Sequence, residues 1–293
     1  MPVNDPIVAE QTPAADFTID QKWDRYTSEE HAIWTTLYER QMKVLQGRAA
    51  PEHFKGLELL NLNEGGIPDF RRVNEKLEKL TGWTVVTVPG LIPERDFYEH
   101  LANRRFVSGR FIRDGEKLDY LPEPDIFHDV FGHVPLLTQP VFADYMQAYG
   151  RGGLRSLEFD AIKHMARLYW YTVEFGLINT PEGRRIYGAG IVSSKAESIF
   201  SLEARSPNRI HFDLERIMRT DYRYDDFQQT YFVIDSYDEL MEATYEDFAP
   251  IYARLPGMDE LKPSDTVEGD RVYTRGTQEY ARAGGLPAKA EAL

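Results

Sequence analysis

The chain has 293 residues, room for one large domain or two modest ones, and with 42% hydrophobic and 13% aromatic residues it is not an intrinsically disordered protein. Its net charge of −14 speaks against a nucleic-acid backbone or an anionic membrane surface as partner. There is no cysteine, which excludes disulfides, thiolate zinc sites, iron–sulfur clusters and a cysteine nucleophile, so any metal falls to His, Asp and Glu.

Residues 1–16, rich in Pro, Ala and Asp, are expected to form a flexible leader. Ser28, Glu29 and Glu30 followed by apolar residues at helical spacing predict a helix closed by Gly47. Pro51 to Leu60 and Asp69 to Leu80 predict two more, the second with Phe70, Val73, Leu77 and Leu80 on one stripe and Gly82 behind it. Trp83 to Val88 reads as a strand ended by Pro89-Gly90, Glu94–Ala102 as a short helix, and Arg105–Arg113 as another strand. The run Leu121-Pro-Glu-Pro124 breaks the chain, and a helical segment opens at Asp125. Ser156 to Ile178 is the longest periodic helix; Ser194–Ala204, Asp213–Arg219 and Ser236–Leu255 are further helices, and Tyr231–Ile234 is a strand. The expected fold class is predominantly α with small β elements (α+β), a single domain over 17–275 with a frayed tail at 276–293. Neither a signal-peptide pattern nor an apolar run of membrane length is present, so a cytoplasmic location is expected.

The chemistry concentrates in two segments. In Pro122-Glu-Pro-Asp-Ile-Phe-His-Asp-Val-Phe-Gly-His-Val-Pro135, His128 and His133 stand five apart. On a regular α-helix these would diverge by roughly 140°. They converge on a π-like or distorted turn, which Gly132 and Pro135 permit. Two ordinary, separately bonded histidines would leave the same trace in the sequence. Glu174 is the only acid in the aromatic and aliphatic run Leu168–Ile178, so it is expected either to pair with an arginine such as Arg167 or to bind metal. Together the three make a two-histidine, one-carboxylate set with open positions, suited to non-haem Fe(II) or to Zn²⁺; spacing does not choose between them.

The same segment, with Tyr169-Trp-Tyr-Thr-Val-Glu-Phe-Gly-Leu177, Tyr187-Gly-Ala-Gly-Ile-Val-Ser-Ser194, Arg95-Asp-Phe97 and Phe111-Ile-Arg113, resembles the pterin-dependent aromatic amino acid hydroxylases, in the family's order and across most of Ile67–Val233. The resemblance implies an Fe(II)- and tetrahydropterin-dependent, O₂-consuming monooxygenase. The pattern is most similar to bacterial members that convert L-phenylalanine to L-tyrosine in phenylalanine catabolism. It implies His128, His133 and Glu174 as iron ligands; Arg113 and Ser193 on the substrate carboxylate end; Tyr120, Pro124 and Trp170 around its ring; and Leu91, Ile92, Phe97 and Asp129 on the pterin. No catalytic side chain beyond the metal ligands is implied. Without a heptad segment after about residue 255, the resemblance implies a monomer whose partners are phenylalanine and pterin rather than nucleic acid or membrane.

Three positions depart from the family pattern: Asp129 where animal members carry Glu, Leu121 where phenylalanine-specific ones carry Thr, and Lys195 where an aromatic is expected. They bear on substrate choice more than on reaction class, and Trp170 favours phenylalanine or tyrosine over tryptophan. Tryptophan or tyrosine as substrate, a zinc-dependent hydrolase and a non-catalytic amino-acid sensor are the alternatives. His31, His53, His100, His164 and His211 sit in no ligand constellation.

Overall fold

The computed structural model describes residues 5–62, 65–119, 123–245 and 248–285. Residues up to Lys43 with Pro51–Leu154 form one compact unit; Val44–Ala50 with the residues from Arg155 on form a second.

In the first unit, Asp5 caps the helical turn α1 (Pro6–Ala9) by accepting from the Ile7 N–H. The supposed leader is tied down: Asp5 reaches the fully buried Arg110 at 2.5 Å, Glu10 pairs with Arg25 and Asp16 with Arg105. Helix α2 (Ser28–Leu45) starts at Ser28, the expected cap, and is capped one residue earlier, by Thr27. Thr27 Oγ1 accepts from the Glu30 N–H while Glu30 accepts from the Thr27 N–H, a reciprocal capping box. Helices α3 (Pro51–Leu59) and α4 (Phe70–Thr81) follow; α4 is capped by Asp69 and closed by Gly82 at φ 74°. Phe70, Val73 and Leu77 are buried on its stripe, but Leu80 is 42% exposed, because the stripe drifts off the core in the last turn.

Strands β1 (Thr84–Thr87) and β2 (Arg105–Ser108) pair in parallel, so the chain between them must cross over, and α5 (Glu94–Ala102) is that crossover. β2 is shorter than Arg105–Arg113 because the Gly109 N–H turns to the Asp129 carboxylate and Arg113 to Asp125. Phe127–His133 is π-helical and runs into a 3₁₀ turn, Val134–Thr138. Helix α6 (Pro140–Ser156) was not foreseen; Gly150, Gly152 and Gly153 weaken its helical signature.

The second unit carries a five-stranded sheet in the order β4-β3-β6-β5-β7, with β3 (Leu177–Thr180), β4 (Gly183–Ile186), β5 (Asn208–His211), β6 (Thr230–Ile234) and β7 (Val272–Thr274). The inner pairs β3/β6 and β5/β6 are parallel and the outer strands antiparallel. The single long helix expected over Ser156–Ile178 is instead a 3₁₀ turn at Leu157–Phe159, α7 (Ile162–Tyr169), a π turn at Trp170–Glu174 and then β3. Asp160 at φ 52° ends the first piece, and Gly176 leads into the strand. Helices α8 (Ala189–Val192), α9 (Lys195–Glu203, capped by Ser194) and α10 (Leu214–Met218, capped by Asp213) come next. The expected helix Ser236–Leu255 is two, α11 (Tyr237–Tyr245) and α12 (Ala249–Arg254), with Pro250 at the start of the second.

Residues 276–285, expected to fray, hold the turn α13 (Glu279–Arg282) and bond back to Arg205, Ser206 and Asn208; 286–293 lie outside the described residues. Long helices with small sheets are the α+β class read from the sequence.

Candidate metal centre

The π turn explains how histidines five apart converge: i→i+5 spacing sets His128 beneath His133. Their Nε2 atoms are 3.2 Å apart, with ring planes at 84°. Two imidazole nitrogens at that distance either share a proton or point lone pairs at a common cation, and cis ligands about 2.1 Å from one metal ion lie roughly that far apart. The turn is anchored at both ends. Asp125 Oδ1 accepts from the His128 N–H at 3.0 Å, and Phe106 packs on the His133 ring at 4.8 Å. Phe127 and Phe131 stack on each other at 4.6 Å and bury the opposite face against Trp34, Tyr38 and His53.

Glu174 ends the other π turn, where the Phe175 N–H bonds to Trp170 O at 2.9 Å. It is half-buried rather than enclosed. Arg167, its imagined partner, is committed to Glu260 at 2.9 Å and Asp221 at 3.7 Å. Gly188 and Gly190 make room for it. A Cβ on Gly188 would stand 2.4 Å from Glu174 O, and one on Gly190 would stand 3.1 Å from Glu174 Oε2. One ligand atom each from His128, His133 and Glu174 lies within 4.8 Å of the others, and among the described residues no other group of three or more His, Asp or Glu does so. Two neutral nitrogens and one carboxylate oxygen fit a divalent cation and leave it positions for further ligands.

Arg113 is buried, and its Nε and Nη2 donate to the two oxygens of Asp125 at 2.8 Å each. Nη1 donates to Leu118 O at 3.0 Å, which leaves one hydrogen on each Nη for a ligand. Burial alone would raise the Asp125 carboxyl; hydrogen bonds and charge from Arg113, with the backbone N–H groups of His128 and Arg113, hold it below the usual range. Burial pushes Asp129 up to about 7, against the pull of His128, the Gly109 N–H and Ser108.

Ser193 is buried with its hydroxyl on Ala189 O at 2.7 Å, whereas Ser194 is the helix cap. Trp170 stacks on Tyr222 at 4.5 Å and donates from Nε1 to Gln228 Oε1 at 2.9 Å. Leu91 is 87% exposed, Ile92 and Phe97 are half-buried at the start of the β1–β2 crossover, and Pro124 is exposed. Tyr120 and Leu121 lie outside the described residues, so nothing tests their expected places. Sequence reasoning missed Asp125, Tyr222 and Gln228. Asp125 carried a signal, an acid directly after the Pro-Glu-Pro break and three residues before His128; the other two carried none.

Residues 13–254 match the family described as biopterin-dependent aromatic amino acid hydroxylase. A phenylalanine-4-hydroxylase of Caulobacter vibrioides is 64% identical over 277 residues, 94% of either chain. Among solved structures, the phenylalanine hydroxylase of Chromobacterium violaceum with bound iron(III) and 7,8-dihydrobiopterin has a TM-score of 0.87 at 56% identity, covering 90% of this chain and 96% of that one. The iron- and phenylalanine-bound form of the same enzyme has a TM-score of 0.86 at 54% identity, covering 91% of this chain and 98% of that one. With this extent of match and a two-histidine, one-carboxylate set in place, the chain belongs to the biopterin-dependent aromatic amino acid hydroxylases.

Proposed function

We propose that this protein converts L-phenylalanine to L-tyrosine with Fe(II), a tetrahydropterin and O₂. The observation that carries the reading is the approach of His128, His133 and Glu174 to within 4.8 Å. It is supported by relatives that hold iron, dihydrobiopterin or phenylalanine. In this reading the three residues hold the iron. When bound, the tetrahydropterin would supply two electrons and the iron would activate dioxygen and end ferrous again, one oxygen atom entering the ring and the other leaving as water once the oxidised pterin dehydrates.

The chain's own work is placement. The two remaining Arg113 Nη hydrogens match a substrate carboxylate, and Asp125 keeps the guanidinium plane from swinging. Ser193 helps at the same end, and Pro124 and Trp170 wall the ring. Leu91, Ile92, Phe97 and Asp129 hold the pterin. No helix among the described residues is long and apolar enough to cross a membrane. A monomeric cytoplasmic enzyme completes the proposal.

The test is to load the protein with Fe(II) under anaerobic conditions, add O₂, L-phenylalanine and a tetrahydropterin, and measure tyrosine. Wild type forms tyrosine, and His128→Ala loses both bound iron and tyrosine formation. Retained turnover in that variant defeats the assignment.

A further inference from the structure

We propose that the C-terminal segment around Tyr280 is a positioning strap for Trp170 and takes part in selecting which amino acid ring is hydroxylated. The proposal rests on the reading of Trp170 as the wall of the ring pocket. Three contacts hold that indole: Phe175, directly after its own π turn, at 4.8 Å, the stack on Tyr222, 21° from parallel, and the hydrogen bond to Gln228. Tyr222 and Gln228 come from the stretch 221–229, which has no helix or strand of its own. Its conformation therefore depends on what holds it from outside.

Gln228 is 2% exposed, and its amide nitrogen donates to Arg223 O at 2.8 Å and Asp226 O at 3.3 Å, so the loop's shape and the indole's acceptor are one network. The Gln228 N–H donates to the buried Glu197, which also accepts from the Tyr231 hydroxyl. From the far side the strap closes on the loop. The Tyr280 hydroxyl donates to Asp226 Oδ1 at 2.8 Å, on the same oxygen that accepts the Phe227 N–H at 2.7 Å. The Tyr280 ring packs at 5.2 Å from Phe200 and 5.4 Å from Phe227, which stack on each other at 4.4 Å. Gln278 adds a bond to Gln229 O at 3.0 Å. The strap is itself anchored: the Thr277, Gln278 and Tyr280 N–H groups bond to Arg205 O, Ser206 O and Ser206 Oγ. All of these strap residues lie beyond the 13–254 stretch that carries the family match, while the loop residues they hold lie within it.

The experiment compares Tyr280→Phe, Asp226→Asn and Trp170→Phe with wild type as Fe(II) enzymes. It measures kcat and KM for L-phenylalanine and L-tryptophan, tyrosine formed per tetrahydropterin consumed, and the unfolding midpoint. Tyr280→Phe keeps the ring and loses one hydrogen bond. The ratio of kcat/KM for the two amino acids should shift by about fivefold, with less tyrosine per pterin and little change in midpoint. Asp226→Asn keeps an acceptor oxygen and should keep the wild-type ratio. Trp170→Phe should shift the ratio in favour of tryptophan by more than either. If Trp170→Phe shifts it and Tyr280→Phe lowers both activities in proportion with unchanged coupling, the strap proposal is overturned alone. If Trp170→Phe leaves the ratio unmoved, the pocket-wall reading falls and the strap falls with it.

Discussion

Both oxygens of Asp125 serve two masters: they take three N–H groups of Arg113 and the backbone N–H of His128. A single carboxylate thus fixes the Arg113 guanidinium and the entry to the ligand-bearing turn. Asp125→Asn keeps the shape but removes the charge that balances a buried guanidinium, and it turns an amide N–H toward other donors. Breaking one side of a buried pair costs about 3 kcal/mol or more. The expected result is that loss in denaturant melts and a roughly tenfold or larger rise in KM for phenylalanine; an unchanged KM would dissociate Arg113 from substrate binding. Legibility at this scale followed chemistry. The ligands showed because a glutamate among aromatics and a histidine pair among phenylalanines are costly to leave idle. Asp125 hid because an acid beside a chain break is ordinary.

The two π turns are where element-level reading split. For the histidine pair, the awkward five-residue spacing itself demanded a non-α turn, and Phe127–His133 has one. For Leu168–Ile178 the periodicity stayed helical, so neither the π turn nor the switch into β3 was foreseen; the strand is fixed by pairing with β6, remote in sequence, and with β4 just after it. Gly188 shows why Glu174 sits where it does. A Cβ there would meet Glu174 O at 2.4 Å and the Gly176 N at 2.5 Å, both backbone atoms that cannot swing aside. Gly188→Ala should therefore displace the carboxylate and weaken iron retention roughly tenfold to a hundredfold. The control is Gly257→Ala, where a methyl meets open space and should change stability by less than about 0.5 kcal/mol. Iron content after gel filtration reads both; equal retention in the two variants would contradict this account.

Across the whole molecule, composition and patterning gave the α+β class, but not the distant bonds that the described parts of both ends make. The segments 5–16 and 276–285 look loose because single charged or aromatic residues, Asp5 and Tyr280, hold them through distant partners. The stability of the assembled chain also has a pH term the sequence hides. His53 is fully buried and neither ring nitrogen has a hydrogen-bond partner, and burial pushes its pKa down to about 3. The unfolded chain takes up a proton on this group as pH falls through about 6.5, while the folded chain does not until about 3. Stability is therefore lost across that window, at about 1.4 kcal/mol per pH unit at most, or about 2 kcal/mol by pH 5. Denaturant melts at pH 7.5 and 5.0 should show wild type losing about that much more than His53→Leu, and parallel losses would refute the assignment.

The i→i+5 turn also means that the iron site is written in chain length as much as in residue identity. Adding or deleting one residue between the two imidazoles would rotate one against the other by about 100°, with no side-chain replacement able to restore the geometry. A ligand pair on a loop could absorb such an indel; this one cannot, so among descendants of this gene the length of that short interval should outlast much of its lettering.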